Sequence, residues 1–146
     1  MQQKRISKKS GNSATQKSTG KASKLSPSKK TSLWKYGEEL AAKFLEAQGL
    51  ELVKRNYRCQ RAEIDLIFKN VSKRLLVFAE VKTRSSKSFG EPEDSVTYGK
   101  VEQLIKAAHG FLTEFEEYAD YEQRFDVIAI YKNGKQEKIN HIINAI

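Results

Sequence analysis

The chain has 146 residues, a formal net charge of +9 and a single cysteine. This length predicts one domain plus, at most, a tail. One cysteine excludes an intramolecular disulfide and a cysteine-based zinc cluster, and no apolar run approaches the roughly 18 residues that a membrane span needs. Because the amino terminus also lacks the apolar core of a secretory signal, we expect a cytoplasmic protein without a membrane partner.

The excess positive charge lies in residues 1–32, which hold nine Lys or Arg and no Asp or Glu. This Ser- and Lys-rich segment has too little apolar surface to offset the entropy cost of ordering, so we predict a disordered basic tail. It is either a solubilising extension or a polycationic arm that binds nucleic acid by counterion release; an organellar transit peptide is a third interpretation. We expect residues 33–146 to form the folded domain.

A first helix is predicted from Trp34 to Gln48, followed by a glycine at the position after the helix end. Its apolar residues recur at helical spacing and predict a buried face made of Trp34, Leu40, Ala41, Phe44 and Leu45. Glu38 lies on the first turns, where the helix dipole favours an anion, although spacing alone makes it an ordinary solvated glutamate. A strand with a basic far end is predicted from Leu50 to Arg58.

Residues 63–84 are predicted to form an antiparallel hairpin, because two short apolar runs flank a polar break that contains Asn70 and Ser72. We place the centre of the turn between Ser72 and Lys73. Alternation of side chains then predicts one shared face. The opposed pairs on this face are Ile67 with Phe78, Asp65 with Glu80, and Glu63 with Lys82.

The predicted hairpin face combines carboxylates with a lysine where stability alone favours valine or threonine. Opposed like charges destabilise a sheet, and ionised groups are costly to bury unless paired or bound to metal. Asp65 and Glu80 supply the hard oxygen ligands that suit Mg²⁺, with Mn²⁺ as an alternative, and the Val81 carbonyl is a further candidate ligand. Lys82 is placed to orient a water or to stabilise phosphate charge. Glu63 is interpreted as a salt-bridge partner of Lys82, with metal ligation as the alternative.

The second half of the chain predicts a loop at residues 85–94, a helix from Thr97 to about Glu114, and a buried strand from Arg124 to Tyr131. Asn133-Gly134 is a strong hairpin signal and predicts a return strand from Glu137 to Ile143. This order predicts an α/β fold with a mixed central sheet and a helix for each face. The predicted buried face of the second helix is formed by Val101, Leu104, Ile105, Ala108, Phe111 and Leu112.

Charge is segregated within the predicted domain. Residues 54–87 hold ten basic and three acidic residues, whereas residues 88–126 hold ten acidic and three basic residues. A basic surface with carboxylates in its middle suits a polyanion brought to a divalent cation; solvated charged faces are the plainer interpretation. His109 and His141 show no metal-binding spacing, and Asp126 is predicted to pair with Arg124.

Asp65 followed by Glu80-Val81-Lys82 resembles the Asp…Glu-x-Lys core of the PD-(D/E)-x-K nuclease superfamily, which has the restriction-endonuclease-like αβββαβ core. More closely, the chain resembles the YraN family of small bacterial proteins, which is similar to archaeal Holliday junction resolvases. Ile64 replaces the superfamily's usual proline, and Ala62 replaces the glycine common in the family. The matching pieces are Gly37-Glu38, Asn56-Tyr57-Arg58, residues 63–67, residues 78–84, Phe89-Gly90, Pro92, Val96, Lys100, residues 124–127, His141-Ile142 and Asn144-Ala145.

The resemblance implies a metal-dependent endonuclease-like protein that hydrolyses phosphodiester bonds in DNA, with branched or junction DNA as candidate substrates. It implies that Glu38 joins Asp65, Glu80 and Lys82 at the catalytic site. It also implies a homodimer, since paired nicks need two sites, although the sequence identifies no dimer surface. The residues expected to contact nucleic acid are Arg58, Arg61, Arg84 and Lys100.

Two other functions fit the sequence. One is a non-catalytic protein that binds DNA or RNA, or acts with the ribosome, and has a vestigial nuclease site. The other is an adaptor that binds a partner through its acidic segment, residues 114–122.

Overall fold

The computed structural model describes residues 29–85 and 98–146. The predicted tail up to residue 28, the predicted loop from residue 86 and Thr97 lie outside these ranges. No helix within them is long and apolar enough to cross a membrane. The elements are α1 (Lys29–Glu46), β1 (Glu51–Cys59), β2 (Ala62–Asn70), β3 (Leu75–Ser85), α2 (Tyr98–Glu114), a 3-10 helix (Glu116–Tyr118), β4 (Glu122–Asn133) and β5 (Gln136–Ile142).

The five strands form one sheet in the order β1-β2-β3-β4-β5. Strands β3 and β4 are parallel, and the other neighbours are antiparallel. The parallel pair is joined through α2, since parallel neighbours need a crossover connection. The predicted mixed α/β fold and its αβββαβ order are therefore confirmed. Strand β5 follows the Asn133-Gly134 signal as a hairpin, with Gly134 at a positive φ of 61°.

Each helix belongs to one of two hydrophobic clusters. The α1 cluster joins Ala41 and Leu45 to sheet residues that include Leu66, Phe68 and Ile128, and the α2 cluster joins Leu104 and Phe111 to sheet residues that include Ile64, Ile67 and Phe78. Two residues assigned to buried helix faces are instead about half exposed: Trp34 at 50% and Ile105 at 46%. Helix α1 also begins at Lys29, five residues earlier than predicted.

The predicted hairpin register is confirmed where β2 and β3 are paired. Ile67 lies opposite Phe78, and Asn70 opposite Leu75 closes the turn around Ser72 and Lys73. The Asn70 side-chain oxygen stabilises this turn by accepting hydrogen bonds from the Ser72 hydroxyl and the Lys73 N–H. At the other end the matched pairs stop at Leu66 with Ala79, so Asp65 and Glu80 lie just past the regular ladder.

The regular alternation of side chains in β1 and β2 is interrupted at Asn56 and Asp65. Side chains on the two sides of this position therefore point to opposite faces of the sheet from those that alternation predicts. Arg55 pairs with Leu66 and Tyr57 pairs with Ile64 in the same register, but Asn56 and Asp65 between them are not paired; the register itself shifts only between Leu52 and Lys54. Asn56 has a left-handed φ of 48°, which asparagine tolerates better than most residues. Simple alternation would separate Ile64 from Ile67, yet both belong to the α2 cluster. The prediction that alternation runs unbroken from Glu63 to Ile67 was therefore wrong.

Asp126 holds the carboxyl-terminal residues against β4. The predicted Arg124 partner is confirmed, since its Nε and terminal nitrogen donate to the Asp126 carboxylate at 3.0 and 2.8 Å. His141 Nε2 lies 2.8 Å from Asp126 Oδ2, and the Asn144 N–H donates to Oδ1 at 3.0 Å. His141 therefore has a structural partner on β4.

Replacing Gly37 with alanine is expected to destabilise the fold by roughly 1–3 kcal/mol. A Cβ at Gly37 would overlap the Thr83 side chain, so this side chain, α1 or β3 must shift. A Cβ at Gly99 in α2 would meet no neighbouring element within 4 Å in the described parts of the chain, so Gly99→Ala is the matched control and should be neutral or slightly stabilising. Urea unfolding of both variants measures the difference, and equal midpoints would contradict the close packing of α1 on β3.

Candidate active site

A cleft of about 290 Å³ opens where β2 and β3 stop pairing, and it receives side chains from α1, β2, β3 and α2. The structure places most of the predicted site residues in its lining. These residues are Glu38, Glu63, Asp65, Glu80, Val81, Lys82, Arg84 and Lys100.

Asp65 lies in the gap between the two strands. Its Oδ2 accepts a hydrogen bond from the Val81 N–H at 2.8 Å, which ties the carboxylate to β3. Burial is the main cause that raises the pKa of Asp65 to about 7, and the negative charges of Glu80 and Glu38 raise it further. The Val81 hydrogen bond and the Lys100 charge act in the opposite direction. Asp65 is therefore a carboxyl group that binds its proton unusually tightly.

Glu80 is buried, and its two carboxylate oxygens have different surroundings. Lys82 Nζ and Lys100 Nζ lie 3.2 and 3.3 Å from Oε2. The other oxygen, Oε1, is buried and has no hydrogen-bond partner among the described residues. A buried acceptor without a hydrogen bond destabilises the folded state. The described residues leave this oxygen without a donor, so it could accept a hydrogen bond from, or bind to, a ligand in the cleft.

Glu38 reaches the cleft from α1. Burial raises its pKa above the ordinary value, a hydrogen bond with the Asn56 side chain lowers it, and the charges of Glu63 and Glu80 raise it. Within residues 29–85 and 98–146, however, no three or more Asp, Glu, His or Cys side chains are grouped closely enough to hold a metal ion. The carboxylates share a cleft without forming a preassembled three-ligand site.

Two of the residues expected to contact nucleic acid, Arg58 and Arg61, do not line the cleft. Arg58 Nε donates to Glu63 at 3.0 Å, and Arg61 is exposed in the turn between β1 and β2. The predicted salt bridge between Glu63 and Lys82 was wrong, because Glu63 pairs with Arg58 and Lys82 pairs with Glu80. Glu63 nevertheless lines the same cleft as Lys82.

Trp34 and Thr83 line the cleft, although the sequence pattern did not predict either of them there. The apolar character of Trp34 favoured a place on the buried face of the first helix. The missed signal was its spacing from Glu38, since residues i and i+4 are neighbours on a helix surface. Thr83 is positioned by its contact with Gly37.

The fold and the cleft define a mixed α/β protein with partly or fully buried carboxylates, accompanied by lysines, where two antiparallel strands part. The chain belongs to the Uncharacterised protein family UPF0102, whose family model matches residues 37–130. This result confirms the resemblance to the YraN family.

Individual relatives match most of the domain. The UPF0102 protein of Christiangramia forsetii is 46% identical over 113 residues, which covers 77% of this chain and 92% of that protein. The UPF0102 protein of Caldanaerobacter subterraneus subsp. tengcongensis is 38% identical over 112 residues, covering 75% of this chain and 89% of its own. The similarity therefore extends across nearly the whole length of these relatives.

Proposed function

We propose that this protein is a Mg²⁺-dependent phosphodiesterase that cleaves DNA, with branched and junction DNA among its candidate substrates. The observation that carries the proposal is Glu80 Oε1, a buried acceptor without a hydrogen-bond partner in the described chain, in the same cleft as Asp65. The charge of Glu80 raises the pKa of Asp65, and two neighbouring carboxylates are unfavourable unless a cation lies between them. The repulsion between Asp65 and Glu80, together with the unsatisfied Oε1 of Glu80, therefore supports a divalent-cation site in the cleft.

The donor set fits Mg²⁺. This ion is commonly held by one or two carboxylates together with waters and phosphate oxygens, so a third protein carboxylate is not needed. Asp65 and Glu80 would hold it, with the Val81 carbonyl as a further ligand and Mn²⁺ as an alternative metal. When bound, the ion stabilises charge that develops on the phosphate and lowers the pKa of a water.

The lysines at Glu80 supply the remaining chemistry. The Lys82 side chain is only 18% exposed, and that of Lys100 is 36% exposed. Both ammonium groups are held at Glu80, where they can donate hydrogen bonds to the oxygens of a bound phosphate. Arg84 also lines the cleft and adds a further cation for the phosphates of the DNA strand. Glu38 assists from α1 by adding negative charge that favours the metal-bound state.

Cleavage of linear, flapped and four-way DNA in Mg²⁺ or Mn²⁺ tests the proposal. The wild-type chain should cleave at least one of these substrates. Asp65→Ala should lower the rate by at least roughly a hundredfold, because it removes a ligand to the metal. Asp120→Ala is the matched control, since Asp120 is exposed and does not line the cleft. No cleavage of any substrate by the wild type would overturn the proposal.

A non-catalytic nucleic-acid-binding protein is the second candidate. It is favoured by one observation: two lysines already neutralise Glu80, as expected for a carboxylate that no longer binds metal. It predicts salt-sensitive binding of DNA or RNA that is lost on deleting residues 1–32 and is unchanged by Glu80→Ala. Metal titration by calorimetry separates the two candidates, since only the first predicts binding that Asp65→Asn removes.

A further inference from the structure

The exposed indole of Trp34 lies on the lining of the carboxylate cleft. Trp34 is 50% exposed although it is the largest apolar side chain in the chain. It precedes Glu38 by four residues, so the two side chains are neighbours on one face of α1. An aromatic surface thus lies about one helical turn from a carboxylate of the proposed catalytic site.

Gly37 fixes the distance of this helix face from the sheet. It packs against Thr83 so closely that no Cβ fits, and Thr83 directly follows Lys82 on β3. Helix α1 therefore cannot withdraw from the cleft without losing this contact. The position of Trp34 relative to the carboxylates is set by the packing of Gly37 on the Thr83 side chain, and such a fixed position is what a ligand-binding aromatic needs.

The chemistry around Trp34 matches a nucleotide. An exposed indole provides a flat surface for a base, and the cations of Lys82 and Arg84 on the same lining provide partners for phosphate. Bases inside an intact duplex are stacked on each other and cannot reach such a surface without being flipped out. Trp34 therefore favours a strand whose bases are unpaired where it enters the cleft.

We propose that Trp34 stacks on an unpaired base of the DNA strand in the cleft, so that the substrate is single-stranded or splayed at this point. This inference rests on the proposed function for the placement of the phosphate at Asp65 and Glu80. It narrows the substrate from DNA in general to flaps, junction arms that open, and single strands.

Trp34 is the only tryptophan in the chain, so its fluorescence reports on stacking directly. Adding a short oligothymidylate to the full chain in EDTA should quench the fluorescence, whereas a blunt duplex of the same length should quench it much less. Trp34→Ala should weaken oligothymidylate binding, measured by anisotropy of the labelled strand, by roughly tenfold or more, and Trp34→Phe should retain most of the affinity. Duplex binding should be the same in all three chains.

The control moves the indole by two residues. The ring of Tyr36 lies under Lys132 Nζ at 4.8 Å and does not line the cleft, so Trp34→Phe combined with Tyr36→Trp should give little quenching. Equal quenching by duplex and single strand, or unchanged binding by Trp34→Ala, would overturn the inference. Because the measurement uses no metal, absent cleavage with selective quenching would reject the nuclease while keeping the stacking site. Cleavage without selective quenching would reject the stacking site while keeping the nuclease.

Discussion

Replacing Asp65 with asparagine is expected to stabilise the metal-free protein, and the gain should grow as the pH rises from the ordinary pKa of 3.8 to about 7. The folded state binds the Asp65 proton more tightly than the unfolded state does. Ionising this carboxyl with rising pH therefore costs the folded state stability, and the cost is complete above pH 7. Asparagine stays neutral and its side-chain oxygen can still accept from the Val81 N–H, so we expect a maximal gain on the order of 1–3 kcal/mol.

Urea unfolding at several pH values in EDTA measures this effect. Glu38→Gln is the control and should give a smaller gain in the same direction, because Glu38 is less buried and has the Asn56 hydrogen bond. Adding Mg²⁺ should stabilise the wild type, more strongly above pH 7 than below it, since the Asp65 proton must leave before a cation binds. The Asp65→Asn chain should not respond to Mg²⁺. A gain that is equal at every pH would show that Asp65 is not the titrating group.

Replacing Asp126 with alanine is expected to destabilise the protein by roughly 3–5 kcal/mol. Its side chain is fully buried, and its removal leaves Arg124, His141 and the Asn144 N–H without their acceptor. Burial alone would raise the pKa of Asp126, but the hydrogen bonds from Arg124, Asn144 and His141 hold it below the ordinary value of 3.8. The stabilisation is therefore present above pH 3.8 and is lost as the pH falls below it.

Thermal or urea unfolding measures the loss, and Asp120→Ala is the matched control. Asp120 also pairs with an arginine, Arg74, but its side chain is 68% exposed, so its loss should change stability little. Hydrogen exchange at Asn144 and Ala145 should accelerate in Asp126→Ala, because the carboxylate and the Phe125 carbonyl hold these amides. Equal unfolding midpoints for the two variants would contradict the assigned role of Asp126.

The sequence predicted the hairpin register because local chemistry determines it. The turn residues Asn70 and Ser72 and the apolar runs on each side leave one register that buries Ile67 opposite Phe78. The same reasoning brought Asp65, Glu80 and Lys82 to one cleft. These features depend on contacts between residues close in the chain, which a sequence pattern encodes directly.

The interruption of alternation at Asn56 and Asp65 was not predictable from periodicity, because alternation was assumed to continue through both strands. Asn56 was the available signal, since asparagine inside a strand is an unusual residue that adopts the left-handed conformation readily. Trp34 is exposed because the sheet does not cover the whole length of α1. The spacing of apolar residues in a sequence does not reveal how much of a helix the sheet covers. Contacts between distant elements, such as Lys100 with Glu80, were not predicted, and Lys100 was expected only to contact nucleic acid.

Because residue 65 accepts a hydrogen bond from the Val81 N–H, positions 65 and 80 are expected to be retained in evolution for different reasons. An acceptor at position 65 closes a gap in the sheet whether or not any reaction occurs, so Asp or Asn would be retained there for architecture alone. The Oε1 atom of Glu80 makes no such structural hydrogen bond within the described chain. Glu80 also neutralises Lys82 and Lys100, so a lineage that lost its chemistry would replace Glu80 only together with these lysines. Joint retention of Glu80 and both lysines is therefore a better mark of a working descendant than residue 65 is.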